Sequence, residues 1–108
     1  MAMILLTYIP FSVPPKISLS SAQESYNEGS AVNLSCTASG TPDPDVHWIR
    51  NGIVKSSGKK TSFLTFSSIN RADDGKYKCR ANNSVGNYEY HVVLVVNRKY
   101  FSNYQALT

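Results

Sequence analysis

Asp73-Asp74-Gly75-Lys76-Tyr77-Lys78-Cys79-Arg80-Ala81 is the stretch that decides the fold. It opens as a turn, with two carboxylates and a glycine at the end of the polar run that starts at Asn70. From Lys76 it alternates strictly. Tyr77, Cys79 and Ala81 take one face, while Lys76, Lys78 and Arg80 take the other. Side chains of a strand point to opposite faces in turn, so this is a half-buried strand entered through a tight turn.

The same alternation recurs upstream. Ala31 to Thr37 sets Val32, Leu34 and Cys36 against Asn33 and Ser35, after the turn Asn27-Glu28-Gly29-Ser30. Lys16 to Ser20 reads as a first strand behind Pro14 and Pro15. Gly40 to Asp45 is loop by composition. Val46 to Arg50 follows as a strand with Val46 and Trp48 inward. Asn51-Gly52 is the pair a type I′ hairpin prefers, because both central positions need positive φ. Ile53 to Lys55 is the short return strand, and Ser56 to Lys60 a polar connection. Ser62 to Ser67 carries Leu64 and Phe66 inward, and Ile69 closes the core. Tyr88 to Val96 is the last strand, with Tyr90, Val92, Leu94 and Val96 expected inside. Seven or eight short strands without a helical period give an all-β fold, a sandwich or barrel.

The 108 residues suffice for one core and not two. With 42% apolar and 17% charged residues the chain is expected to fold. No run approaches the ~18–20 apolar residues of a membrane-spanning helix, so any membrane attachment is expected through a parent chain. Residues 1–13 are apolar and lack Lys or Arg, which makes them a candidate signal peptide or a linker. Residues 14–97 form the domain, and 98–108 a tail or linker. The net charge is +4, and eight of the 11 basic groups fall between residues 50 and 80 against only Asp73 and Asp74. An electrostatic partner site is expected there. Two cysteines are compatible with one disulfide, or with two small buried thiols.

Cys36, Trp48 twelve residues later, and Asp73-x-Gly75-x-Tyr77-x-Cys79 together resemble the immunoglobulin superfamily. Glu28-Gly29-Ser30 and Ala81-x-Asn83-x-x-Gly86 are similar to segments of its intermediate-set and C2-set domains. The resemblance implies a two-sheet antiparallel β-sandwich. It also implies one intersheet disulfide, Cys36–Cys79, with Trp48 packed on it and Tyr77 in a tyrosine corner. Leu34, Leu64, Asp73 and Gly75 join these as structural core residues. Between Trp48 and Tyr77 there is hardly room for a separate D strand, which departs from the fuller members. The implied role is extracellular recognition within a cell-adhesion molecule or receptor ectodomain. Other readings are a secreted immune-type protein and an intracellular filament module.

Candidate sites follow from placement. Asn33-Leu34-Ser35 and Asn82-Asn83-Ser84 are glycosylation triplets, making Asn33 and Asn82 candidate acceptors. The candidate binding face is His47, Ile49, Lys76, Lys78, Arg80 and His91, turned outward from the strands that correspond to C (Val46 to Arg50), F (Lys76 to Ala81) and G (Tyr88 to Val96) of the family. It suits a protein ligand, a second copy in homophilic contact, or an acidic glycan of the heparan sulfate kind. No metal site is expected, since His47 and His91 stand across an intervening strand and no carboxylate cluster completes a set. No catalytic motif is present, no cofactor is implied, and the basic patch lacks the stacking aromatics of a nucleic-acid binder.

Overall fold

The computed structural model describes residues 11–19 and 25–98. Residues 1–10 of the expected leader or linker over 1–13, the end of the first strand at Ser20, and all but the first residue of the expected tail over 98–108 lie outside the described residues. Within them the chain is all-β and forms two facing sheets, with a small parallel pair at the seam. One sheet is β1 (Val13–Leu19), β3 (Val32–Thr41) and β6 (Thr61–Phe66), in the order β1-β3-β6. The other is β4 (Asp45–Arg50), β5 (Ile53–Lys59), β7 (Gly75–Asn82) and β8 (Asn87–Leu94), in the order β5-β4-β7-β8. All pairings within these sheets are antiparallel. β2 (Tyr26–Asn27) pairs in parallel with β9 (Val96–Asn97).

The alternation read from the sequence builds the core. Val32, Leu34, Cys36 and Ala38 face Val46, Trp48, Tyr77, Cys79, Ala81, Val92 and Leu94, with Leu64 and Ile69 completing the packing. Cys36 and Cys79 are disulfide-bonded across the two sheets. The bond closes a separation of 43 residues, worth about 4 kcal/mol in the chain-entropy treatment. Trp48 is 1% exposed, and its indole Nε1 donates to the Ser62 carbonyl at 3.0 Å. Asn51 and Gly52 have φ of 51° and 77°, as the expected hairpin requires.

Four expectations need correction. β5 does not stop at Lys55. Ser56 to Lys59, expected as a connection, continue the strand and pair with Asp45 to Trp48 after a register slip at Lys55. An edge strand has one neighbour and keeps polar side chains, so it carries little hydrophobic signal. Likewise β3 runs on to Thr41 through the expected loop, because Ser39 and Thr41 pair with Lys16 and Val13 of β1. Tyr90 has inward parity but is 44% exposed. It opposes Cys79 on β8, the outermost strand, where the facing sheet gives less cover. Asp73 and Gly75, finally, are structural in a turn and are only partly buried.

No strand separates β5 from β6. Lys60 alone turns the corner, at φ 69°. The expected absence of strand D therefore leaves β6 as the sheet edge, beside a groove of about 420 Å3 lined partly by Lys55, Ser56, Phe63 and Thr65.

Candidate functional site

The outer face of the β5-β4-β7-β8 sheet is organised in rungs fixed by register. His47, Arg80 and Glu89 form one rung across β4, β7 and β8. Ile49, Lys78 and His91 form the next, and Lys76 lies opposite Val93 in a third. Strand alternation is the cause: Trp48, Tyr77 and Cys79 point into the core, so their neighbours must point out. Lys76, Arg80 and His91 are exposed, and Val93 is 58% exposed. Val54, opposite Ile49 on β5, adds a second exposed apolar group at 54%. His47 is half-buried and its Nδ1 lies 2.8 Å from the Ser57 hydroxyl.

Ile49 departs from its expected part. It sits on this face but is only 7% exposed and stands apart from the core cluster. Cross-strand neighbours Val54 and Lys78 cover it, so it supports the face rather than presenting itself. Lys78 is also restrained, its ammonium lying 3.3 Å from the Glu89 carboxylate. His47 and His91 fall on different rungs. Among the described residues no group of three or more His, Cys, Asp or Glu is placed to hold a metal.

The basic run of residues 50–80 does not form one patch. Lys59 is paired with Asp45 at 2.9 Å, each shifting the other toward its charged form through a hydrogen bond and direct attraction. Arg50 has a part that nothing in the strand alternation marks. Its Nη1 donates to the Ala72 carbonyl at 3.0 Å and to the Tyr77 hydroxyl at 2.7 Å. Its Nη2 donates to the Asp74 carbonyl at 2.6 Å, and its guanidinium carbon lies 4.8 Å from the Tyr77 ring centroid. The Tyr77 hydroxyl in turn donates to the Asp73 carbonyl at 2.7 Å. This completes the expected tyrosine corner. Burial raises the phenol's pKa, and the nearby Arg50 charge opposes that.

The turn itself is a short 3-10 segment, Arg71–Asp73. Asn70 and Asp73 cap it reciprocally: Ala72 N donates to Asn70 Oδ1, and Asn70 N donates to Asp73 Oδ2, both at 2.8 Å. Asp74 Oδ2 accepts from Val96 N at 2.8 Å and ties the turn to β9. Asn83, in the Ala81-x-Asn83-x-x-Gly86 segment, holds the opposite end. Its Nδ2 donates to the Val13 and Pro42 carbonyls, each at 2.9 Å. Its Oδ1 accepts from Val85 N and Gly86 N. These groups are scaffolding for the sheet face and not reactive centres.

Two sheets joined by a buried disulfide, an indole packed in the same core and a tyrosine corner define an immunoglobulin-type β-sandwich. A family described as immunoglobulin domain matches residues 14–83, and the chain belongs to it. The limbic system-associated membrane protein of Rattus norvegicus is 36% identical over 89 residues, covering 82% of this chain and 26% of that protein. Interference hedgehog of Drosophila grimshawi is 32% identical over 88 residues, covering 77% and 10%. The chain thus spans about a quarter or less of these relatives. Among solved structures, a chimeric titin Z1Z2 carrying an exogenous decorin peptide is similar at a TM-score of 0.69 with 26% identity. That match covers 82% of this chain and all of the other. Membership of this family supports a binding-module role for the chain.

Proposed function

We propose that the chain is an extracellular recognition module of a cell-adhesion molecule or receptor ectodomain. Its protein partner, a ligand or a second copy, docks on the outer face of the β5-β4-β7-β8 sheet. The observation that carries this reading is the set of rungs around Lys76, Lys78 and Arg80, where charges of both signs alternate with exposed Val54 and Val93. Mixed apolar and charged groups on a rigid sheet suit a protein surface. A sulfated glycan fits less well, because Glu89 stands within the basic row and neutralises Lys78. The buried Cys36–Cys79 bond supports an oxidising, extracellular setting over a filament module inside the cell, although titin domains share the fold. Similarity to a membrane protein and to interference hedgehog fits a parent chain that brings the module to a cell surface.

The test couples the folded chain to beads and scores bead–bead adhesion and adhesion to a panel of cell lines. Lys76→Glu with Arg80→Glu should abolish whatever adhesion the parent gives. Adhesion unchanged by that pair, or no adhesion to any surface, would reject this face as the site.

A further inference from the structure

We propose that Asn33 carries an N-linked glycan whose innermost sugars lie against Phe63 and cover the outer face beside the open edge of β6. Asn33 is exposed on β3, within Asn33-Leu34-Ser35, a triplet the glycan-transfer machinery of the secretory route accepts. It lies opposite Thr65, whose hydroxyl donates to Asn33 Oδ1 at 3.3 Å. Glycosylation uses Nδ2 and leaves that oxygen and its bond in place. In the transfer Nδ2 bonds to the anomeric carbon of an oligosaccharide linked to a lipid diphosphate. The C–O bond to the diphosphate breaks, the lipid diphosphate leaves with the electron pair, and the amide gives up one proton.

The surroundings point to a covering role. The outer face of β3 and β6 is a ladder of small polar groups: Asn33 opposite Thr65, Ser35 opposite Phe63, and Thr37 opposite Thr61. Phe63 is the aromatic exception, 54% exposed. It is a diagonal neighbour of Asn33, at a spacing of about 7–8 Å that the first sugars of a glycan span. The C–H face of a pyranose is weakly positive and packs on the negative face of an aromatic ring. β6 is also the edge of its sheet, and its segment Thr61–Phe66 has no charged residue to discourage pairing with another chain. Exposed uncharged edges are ordinarily covered or blunted. Asn82 offers no such setting: it is half-buried on β7 and paired on both sides, with Asp45 and Asn87.

This inference rests on the secretory location proposed above but not on any binding partner. The experiment expresses the 108-residue chain behind a heterologous secretion leader in eukaryotic cells, so that it meets the transferase whatever its own leader. Peptide mapping after amidase release of the glycan should find Asn33 converted to Asp. Release should then lower the melting temperature of the parent by roughly 4 °C, the scale of one modest contact in a domain this size. In Phe63→Ser the same release should leave it unchanged. The new Asp charge is common to both proteins and cancels in the comparison. An unmodified Asn33, or an equal change in the two proteins, including no change in either, overturns the proposal. Failure of bead adhesion leaves these readouts intact, so the two proposals fail separately.

Discussion

Replacing Arg50 by Ala removes the clamp between β4 and the turn that precedes β7. Three hydrogen bonds and the contact with the Tyr77 ring are lost together. A hydrogen bond to a charged donor is worth about 1.5–3 kcal/mol when fully shielded. The Ala72 and Asp74 carbonyls belong to exposed residues, so water replaces the guanidinium and each loss shrinks to about 0.5 kcal/mol. The Tyr77 hydroxyl keeps its bond to Asp73 and loses a charged donor at a partly buried position, costing about 1 kcal/mol. The cation–π contact adds about 0.5–1 kcal/mol. The total is about 2.5–3 kcal/mol, a large part of the ~5–15 kcal/mol typical of a domain. Urea unfolding followed by Trp48 fluorescence measures it. With a slope near 1 kcal/mol per molar, the midpoint should fall by about 2.5–3 M. Arg50→Lys should recover less than half, since an ammonium cannot reproduce the planar fork. A midpoint for Arg50→Ala within about 0.5 M of the parent would refute the reasoning, as would full recovery by lysine.

Gly58→Ala should unfold or severely destabilise the domain, because an added Cβ would come 2.1 Å from the Thr61 carbonyl oxygen; a cooperative melt at the parent temperature would refute this. The Tyr77 phenol is raised above its ordinary value of 10.0 when folded, so the folded state holds its proton more tightly than the unfolded chain. Its contribution is complete below pH 10 and is lost as pH climbs through the raised value. Stability should therefore fall more steeply above pH 10 in the parent than in Tyr77→Phe, read by urea midpoints at stepped pH. Reduction of Cys36–Cys79 should add about two mass units and lower stability by about 4 kcal/mol. A secreted chain of unchanged mass would contradict the disulfide. On heparin resin the folded chain should elute below ~0.2 M salt, since the Lys78–Glu89 and Lys59–Asp45 pairs break up the basic row.

The sequence made the core legible wherever one face of a strand was buried. Val32-Leu34-Cys36 and Tyr77-Cys79-Ala81 alternate because a second sheet covers one side, and the structure buries these six residues. Where pairing depends on backbone alone the signal vanished. Ser56 to Lys59 are polar on an edge, yet they pair along β4. Ser62 is 1% exposed, and its hydroxyl is 2.9 Å from that of Ser56. Nothing in the local pattern marks a serine that will find such a partner. In the sequence Arg50 is one more basic group of the 50–80 run, because its acceptors lie 22 to 27 residues away. Alternation puts Ile49 on the correct side of its strand. Its burial comes from Val54 and Lys78, whose register no single strand reveals. Parity is local and cover is tertiary. For the same reason the face could be read from alternation, but not which of its residues are free to meet a partner.

The central claim, that recognition resides on the outer β5-β4-β7-β8 face, is tested most directly by comparing bead adhesion of two charge variants. Lys76→Glu with Arg80→Glu alters that face, whereas Thr37→Glu places a charge on the opposite sheet at an exposed position. Adhesion lost in the first and kept in the second is the expected result. Adhesion kept in the first and lost in the second would contradict it and move the site to the β1-β3-β6 sheet.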